Sequence, residues 1–269
     1  MIPTDRSRIS CRTHAGVFAL VCALASSGVA VTAHAAEASA TRAYMEAVLA
    51  RLPANATKAL RSIDGPARQL LAVRAYVRAG ESLESRWSWS TGEILQYEQS
   101  SEYREALAHL ERIAQRFAAA NPGYTLYVNT QVRSLETQLD RWNENDSVRD
   151  AAKALQEAAA RELSNKSYPR NPGAAARERF AKFLKEWLSP RAVNLAAPGL
   201  SPHGQARAFD FQVQHGDVIV AGTEAGDVTA AWDAQGWTHK PSAAIAAESD
   251  RFQGPLAAPR EPWHYEYHP

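Results

Sequence analysis

From Tyr103 to Ala120 the apolar side chains Leu107, Leu110, Ile113 and Phe117 recur at helical spacing, which predicts one amphipathic helix stopped by Asn121-Pro122-Gly123. The same period runs upstream. Ala38 to Leu52 predicts a helix that Pro53 ends, and Asp64-Gly65-Pro66 opens another through Leu70, Leu71, Val73 and Val77 to Gly80. Ser90-Thr91-Gly92-Glu93 has the layout of a capping box, opening a third segment. Just before it, Trp87 and Trp89 predict aromatic anchors of a helical layer, with a sugar-stacking platform as the alternative. His109, among charged neighbours, is expected to be exposed.

Beyond Gly123 the alternation changes to a period of two. Leu126, Val128, Thr130 and Val132 face one way and Tyr127, Asn129, Gln131 and Arg133 the other, which predicts a strand reaching Arg133. Ser134 then caps a helix through Trp142, and Asp146-Ser147 opens a further helix to Leu163. Ala174 to Leu188 is amphipathic, with Phe180, Phe183, Leu184 and Trp187 expected to pack against the sheet. In the next strand Phe209, Phe211 and Val213 share one face, while Ala208, Asp210 and Gln212 share the other. A turn at His215-Gly216-Asp217 leads into Val218 to Val220. Lys240-Pro241 starts a last helix running to Phe252, ended by Gln253-Gly254-Pro255. At the C-terminus Trp263, Tyr265 and Tyr267 alternate with His264, Glu266 and His268, a strand that buries its aromatics.

The change of period implies an α+β fold. An α-helical N-terminal region over 36–121 precedes a domain over 122–269, in which a small, mostly antiparallel sheet with flanking helices carries the candidate chemistry. Ahead of both, Arg6, Arg8 and Arg12 precede an uncharged apolar run from Ala15 to Ala33, then Ala-His-Ala-Ala-Glu. This is the layout of a secretory signal peptide over 1–35, cleaved after Ala35 or Ala36, and it places the mature chain in the periplasm or outside the cell. An uncleaved membrane anchor and a lipoprotein site at Cys22 are the competing readings. Once the signal is removed, no stable membrane span is expected.

Both cysteines, Cys11 and Cys22, fall in this leader, so the mature chain has no disulfide and no thiolate for a metal. Any metal site must rest on histidine and carboxylate. Removing three arginines and one aspartate from 30 basic and 29 acidic residues leaves a net charge near −1. Such a chain has no positive field to recommend nucleic acid as a partner.

The stretch Pro198 to Asp210 and the tail Glu261 to His264 hold residues suited to zinc. Ligands that share one ion have donor atoms only a few ångström apart, whereas the seven steps from His203 to Asp210, fully extended, would span about 23 Å. The segment must fold back, and Pro202 and Gly204 suit a bend. Glu261 would share a face with His264 only if Pro262 breaks the strand. Spacing alone equally fits a surface histidine and aspartate in a turn, plus an aromatic strand with a satisfied histidine.

The pattern S-x-H-x-x-G-x-A-x-D, carried by Ser201, His203, Ala208 and Asp210, with E-P-W-H at Glu261, Trp263 and His264, resembles the D-Ala-D-Ala carboxypeptidase branch of the LAS metallopeptidases. That group also holds vancomycin-resistance D,D-peptidases, murein endopeptidases and the hedgehog signalling domain. Arg133, Ser134 and Gln138 match its R-S-x-x-x-Q, and Phe252, Gly254 and Pro255 its F-x-G-P, so that the resemblance spans about 123–267. It implies one zinc ion held by His203, Asp210 and His264, Glu261 as catalytic base, Arg133 contacting substrate and developing oxyanion, and Ser201 and Gln138 as substrate-binding residues. It departs at Ala206, where the family has glycine.

The function so implied is an exported zinc peptidase acting on peptidoglycan stem peptides, as a D-Ala-D-Ala carboxypeptidase. Alternatives are a murein endopeptidase, a peptidase for non-wall peptides, and a non-catalytic peptidoglycan-binding protein that retains the fold.

Overall fold

A computed structural model describes residues 38–257 and 260–268. The expected signal peptide over 1–35, with Cys11 and Cys22, lies outside them. The described chain is α+β, with a five-stranded antiparallel sheet and helices before and between its strands. Among the described residues no helix is long and apolar enough to cross a membrane.

The first half is helical. Helix α1 occupies 38–49, α2 Ala54–Leu60, α3 Gly65–Ala79, α4 Thr91–Tyr97 and α5 Ser101–Ala120. Local chemistry sets their ends. Gly80 closes α3 at φ 56, and at α4 the Ser90 hydroxyl accepts from Glu93 N–H while the Glu93 carboxylate accepts from Ser90 N–H, the reciprocal box read from the sequence. After strand β1 (Tyr124–Asn129) come α6 (Leu135–Glu144), α7 (Asp146–Leu163) and α8 (Ala174–Glu186). Ser134 caps α6, and it is Asn145 that caps α7, its side chain accepting from Val148 N–H at 3.1 Å.

Two apolar cores form, and they do not follow chain order. The first joins α1 to α3 with α6 to α8 through Tyr44, Leu71, Tyr76, Leu155, Phe180 and Leu184. In the second, α5 packs on the inner face of the sheet through Ile113, Phe117, Phe211, Trp232, Tyr265 and Tyr267. The chain therefore crosses from the first core to the second at α5 and back again at α6, rather than once near residue 121. Helix α8 packs on α3 instead of the sheet. Its apolar stripe was legible, but a stripe does not name its partner. Phe180 lies 5.5 Å from the Tyr44 ring, a helix-to-helix contact.

The sheet runs β1-β2-β5-β4, with β2 at Ala208–His215, β3 at Val218–Ala221, β4 at Phe252–Gln253 and β5 at His264–Tyr267. Along one edge β2 pairs with β1 from Asp210 to His215. Along its other edge it pairs with β5 over Ala208 to Asp210 and with β3 from Val213 onward. Phe209, Phe211 and Val213 are fully buried, each contributing about 1.5–3 kcal/mol, while Asp210 and Gln212 look out from the opposite face. This alternation fixes the register, because a slip by one residue would turn the phenylalanines to water.

Two strand expectations change. β1 ends at Asn129, short of Arg133, because the Asn129 side-chain oxygen accepts from Gln131 N–H at 2.9 Å and turns the backbone out of the ladder. Phe252 belongs to β4 rather than to the last helix, α9, which is His239–Glu248. Ser249 leaves α9 in an extended conformation, and the Phe252 ring then packs on Phe209 and Tyr267 in the second core.

Candidate metal centre

Asp210 on β2 and His264 on β5 are direct partners across the sheet. Directly opposed residues project to the same side, so both face away from the aromatic core. His264 Nδ1 lies 2.9 Å from one Asp210 carboxylate oxygen. His203 Nε2 lies 3.2 Å from the other.

His203 reaches this place by a fold-back just before β2. Pro202–Gln205 is one turn of 3-10 helix, and Ala206 follows it in the left-handed region at φ 54, ψ 25. Ala206 is the one non-glycine residue with positive φ among the described residues, and it occupies the position where the resembled family carries glycine. A left-handed backbone is what a residue without a Cβ adopts at least cost.

One donor atom from each of His203, Asp210 and His264 lies within 4.8 Å of the others, a group that could hold a metal ion. Two imidazole nitrogens and a carboxylate suit a divalent cation, and three protein ligands leave room for a further one. The two rings sit 5.1 Å apart at 74°, turned edge to face about the carboxylate. All three side chains are mostly covered, with 11 % of His203, 21 % of Asp210 and 4 % of His264 exposed. Burial alone would raise the Asp210 carboxyl, but hydrogen bonds and charge from His203 and His264 outweigh it and hold the group well below the usual carboxylate range.

Glu261 comes close through a turn. His264 N–H donates to the Glu261 carbonyl at 3.1 Å, so Glu-Pro-Trp-His closes a reverse turn with Pro262 at its second position. The Glu261 carboxylate stands 3.9 Å from His264 Nδ1, and a third of the side chain is exposed. Gly254 lies behind this turn, where a Cβ would fall 2.7 Å from the His264 carbonyl oxygen.

Arg133 lies beyond β1, tied by its own N–H to the His203 carbonyl at 3.1 Å. Burial lowers the pKa of its guanidinium, Asp210 and Glu261 oppose that, and Arg141 adds to it. The charges of Asp210 and Glu261 are thus both felt at the arginine. Gln138 is buried with its amide committed to the scaffold: it donates to the Arg133 carbonyl at 2.7 Å and accepts from Gly199 N–H at 3.0 Å. Ser201 is half-buried at the start of the His203 turn, and its carbonyl accepts from Gly204 N–H at 2.9 Å. The site thus joins His203, Asp210, His264 and Glu261, with Arg133 tied to the His203 turn through its backbone N–H and Gln138 holding the Arg133 carbonyl.

Nothing in the local sequence signals the part played by Ser88. The segment Trp87 to Trp89 threads between the His203 turn and α6: Trp89 N–H donates to the Gly204 carbonyl at 2.8 Å, and the Trp89 carbonyl accepts from Leu135 N–H at 2.9 Å. Ser88 presses on Gly204 so closely that a Cβ there would lie 2.0 Å from its hydroxyl oxygen. Trp87 packs under Gly199 and against Tyr76, and Trp89 against Tyr97 at 4.8 Å, as anchoring aromatics do. His215 packs against the Tyr124 ring, tilted at 46°, at the far end of β2. His109 is largely covered, within 2.9 Å of Arg112 and facing Tyr267, rather than exposed as expected.

No protein-family model, curated protein or solved structure matches the chain.

Proposed function

We propose that the chain is an exported zinc-dependent peptidase that hydrolyses peptidoglycan stem peptides, of the D-Ala-D-Ala carboxypeptidase type. One observation carries the reading. Donor atoms of His203, Asp210 and His264 converge within 4.8 Å, with the Glu261 carboxylate 3.9 Å from His264 Nδ1. His203, Asp210 and His264 would hold the ion. When bound, zinc would supply Lewis acidity, enough to lower the pKa of a water to about 7.

The chain's own groups supply the rest. Glu261, partly open to solvent beside the histidine, takes the proton from the attacking water and returns it to the leaving amine. Arg133, tied by its backbone to the His203 turn, donates to the oxygen on which negative charge develops, and its loss would cost about 10²–10³ in turnover. Asp210, kept ionised by its imidazole partners, offers a permanent negative ligand across the neutral range. The specific bond, the wall polymer and the periplasmic setting rest on the motif resemblance and on the leader's layout.

The test is digestion of purified muropeptides with and without a chelator, with the products weighed. Chelator-sensitive loss of a terminal D-alanine supports the carboxypeptidase reading. Splitting of cross-links moves the protein to the endopeptidase alternative, and intact muropeptides in the presence of added zinc refute both.

A further inference from the structure

Among the described residues the second ring nitrogen of His264 has no hydrogen-bond partner. Nε2 is buried among atoms that leave it no hydrogen bond, although the side chain is only 4 % exposed. Nδ1 points the other way, at Asp210 and the convergence of ligand atoms. A histidine that ligates through Nδ1 keeps that nitrogen bare, so its neutral ring carries the proton on Nε2. A buried N–H left without an acceptor costs about 1–3 kcal/mol, and metal-binding histidines regularly give this proton to a carboxylate.

Among the described residues Glu266 supplies the carboxylate paired with it. Its Oε1 stands 3.9 Å from His264 Nε2, and its Oε2 4.0 Å from His268 Nε2. The placement follows from strand geometry: His264 and Glu266 are two apart on β5 and project to the same face, with Ala208 of β2 and Gln253 of β4 flanking Glu266 in register. The Glu266 side chain is 44 % exposed, and a rotation that moves the oxygen by about 1 Å brings it within hydrogen-bond range.

We propose that Glu266 is a positioning residue for the metal centre, accepting the Nε2 proton of His264 and so fixing the ring's tautomer and tilt. The inference rests on the metal-binding reading of the triad. Glu266 touches neither the ion nor the substrate. Its two oxygens divide between an inner histidine that ligates and an outer one, His268, that lies at the surface.

Zinc affinity of the purified metal-free protein, read by competition with a chromophoric chelator, tests this without reference to turnover. Glu266→Ala is expected to weaken zinc binding by about 10–100-fold. Glu266→Gln, whose amide oxygen still accepts, is expected to stay within a few-fold of the wild type. Thermal unfolding of the metal-free variants, expected to match the wild type, excludes general loosening as the cause. Equal affinity in Glu266→Ala and wild type overturns the inference and leaves the metal centre standing, as does an equal loss in both variants. A wild type that takes up no zinc overturns the metal reading itself, and this inference with it.

Discussion

The Asp210 carboxylate and the His264 imidazole meet at 2.9 Å because β2 and β5 set the two residues directly opposite each other. The pair is built by backbone register and does not wait for an ion to assemble it. His203 closes on the same carboxylate from the other side, so the negative charge lies between two rings that favour it.

That relationship predicts the acid sensitivity of the metal-free protein. The Asp210 carboxyl is pushed up by burial and pulled further down by His203 and His264, so its folded pKa lies below its unfolded one. A depressed carboxylate stabilises the fold fully above the unfolded value near 3.9, and this contribution is lost as pH falls toward the folded value. Denaturant midpoints measured from neutral pH down to about pH 3 should therefore fall more steeply for the wild type than for Asp210→Asn. Parallel curves would show that the pairing adds nothing to stability.

Replacing Glu261 by glutamine keeps size and turn geometry while removing the base. Glu261→Gln is expected to bind zinc with the wild-type stoichiometry and to lose about 10²–10⁴ in hydrolysis rate. Metal analysis alongside kinetics on a muropeptide reads both. An unchanged rate would remove Glu261 from the mechanism.

Ala206 invites a stabilising change. Its left-handed backbone costs an alanine about 1–2 kcal/mol, whereas glycine at that place gives back about 0.4–1 kcal/mol through unfolded-state freedom. Ala206→Gly should raise the melting temperature by up to about 4 °C in a chain of this size. A fall would mean that the methyl group, which is buried, contributes more packing than its conformation costs.

Gly204 admits no side chain. A Cβ there would meet the Ser88 oxygen at 2.0 Å and the Ser88 Cβ at 2.3 Å, so Gly204→Ala is expected to destabilise by about 1–3 kcal/mol and to weaken metal binding by displacing His203. Adding Ser88→Gly should restore part of both losses, since it removes the nearer obstruction while Gln138 Nε2 still stands 2.8 Å from the added Cβ. Calorimetry and chelator competition on the single and double variants check the coupling.

The parts of this fold that were legible before the structure are those written in local chemistry. Phe209, Phe211 and Val213 against Asp210 and Gln212 announce both a strand and its buried face, and Ser90 with Glu93 announces a helix start. The meeting of His203, Asp210 and His264 was legible through motif resemblance, not through spacing. What escaped depends on distant partners. Nothing around Ser88 says that it will press on Gly204, 116 positions later in the chain. Nothing in α8 says that its stripe meets α3, and Asn129 ends β1 through a side-chain bond that competes with the ladder only once the turn is made.

Trp89 gives one hydrogen bond to the loop bearing His203 and takes one from the first residue of α6, two residues beyond Arg133. The helical half is therefore stitched through the seam where ligand and arginine approach each other. A fragment trimmed to begin at Gly123 would keep every motif letter and lose the thread that spaces them, so the shortest piece able to hold the ion in this way must reach back at least to Trp87.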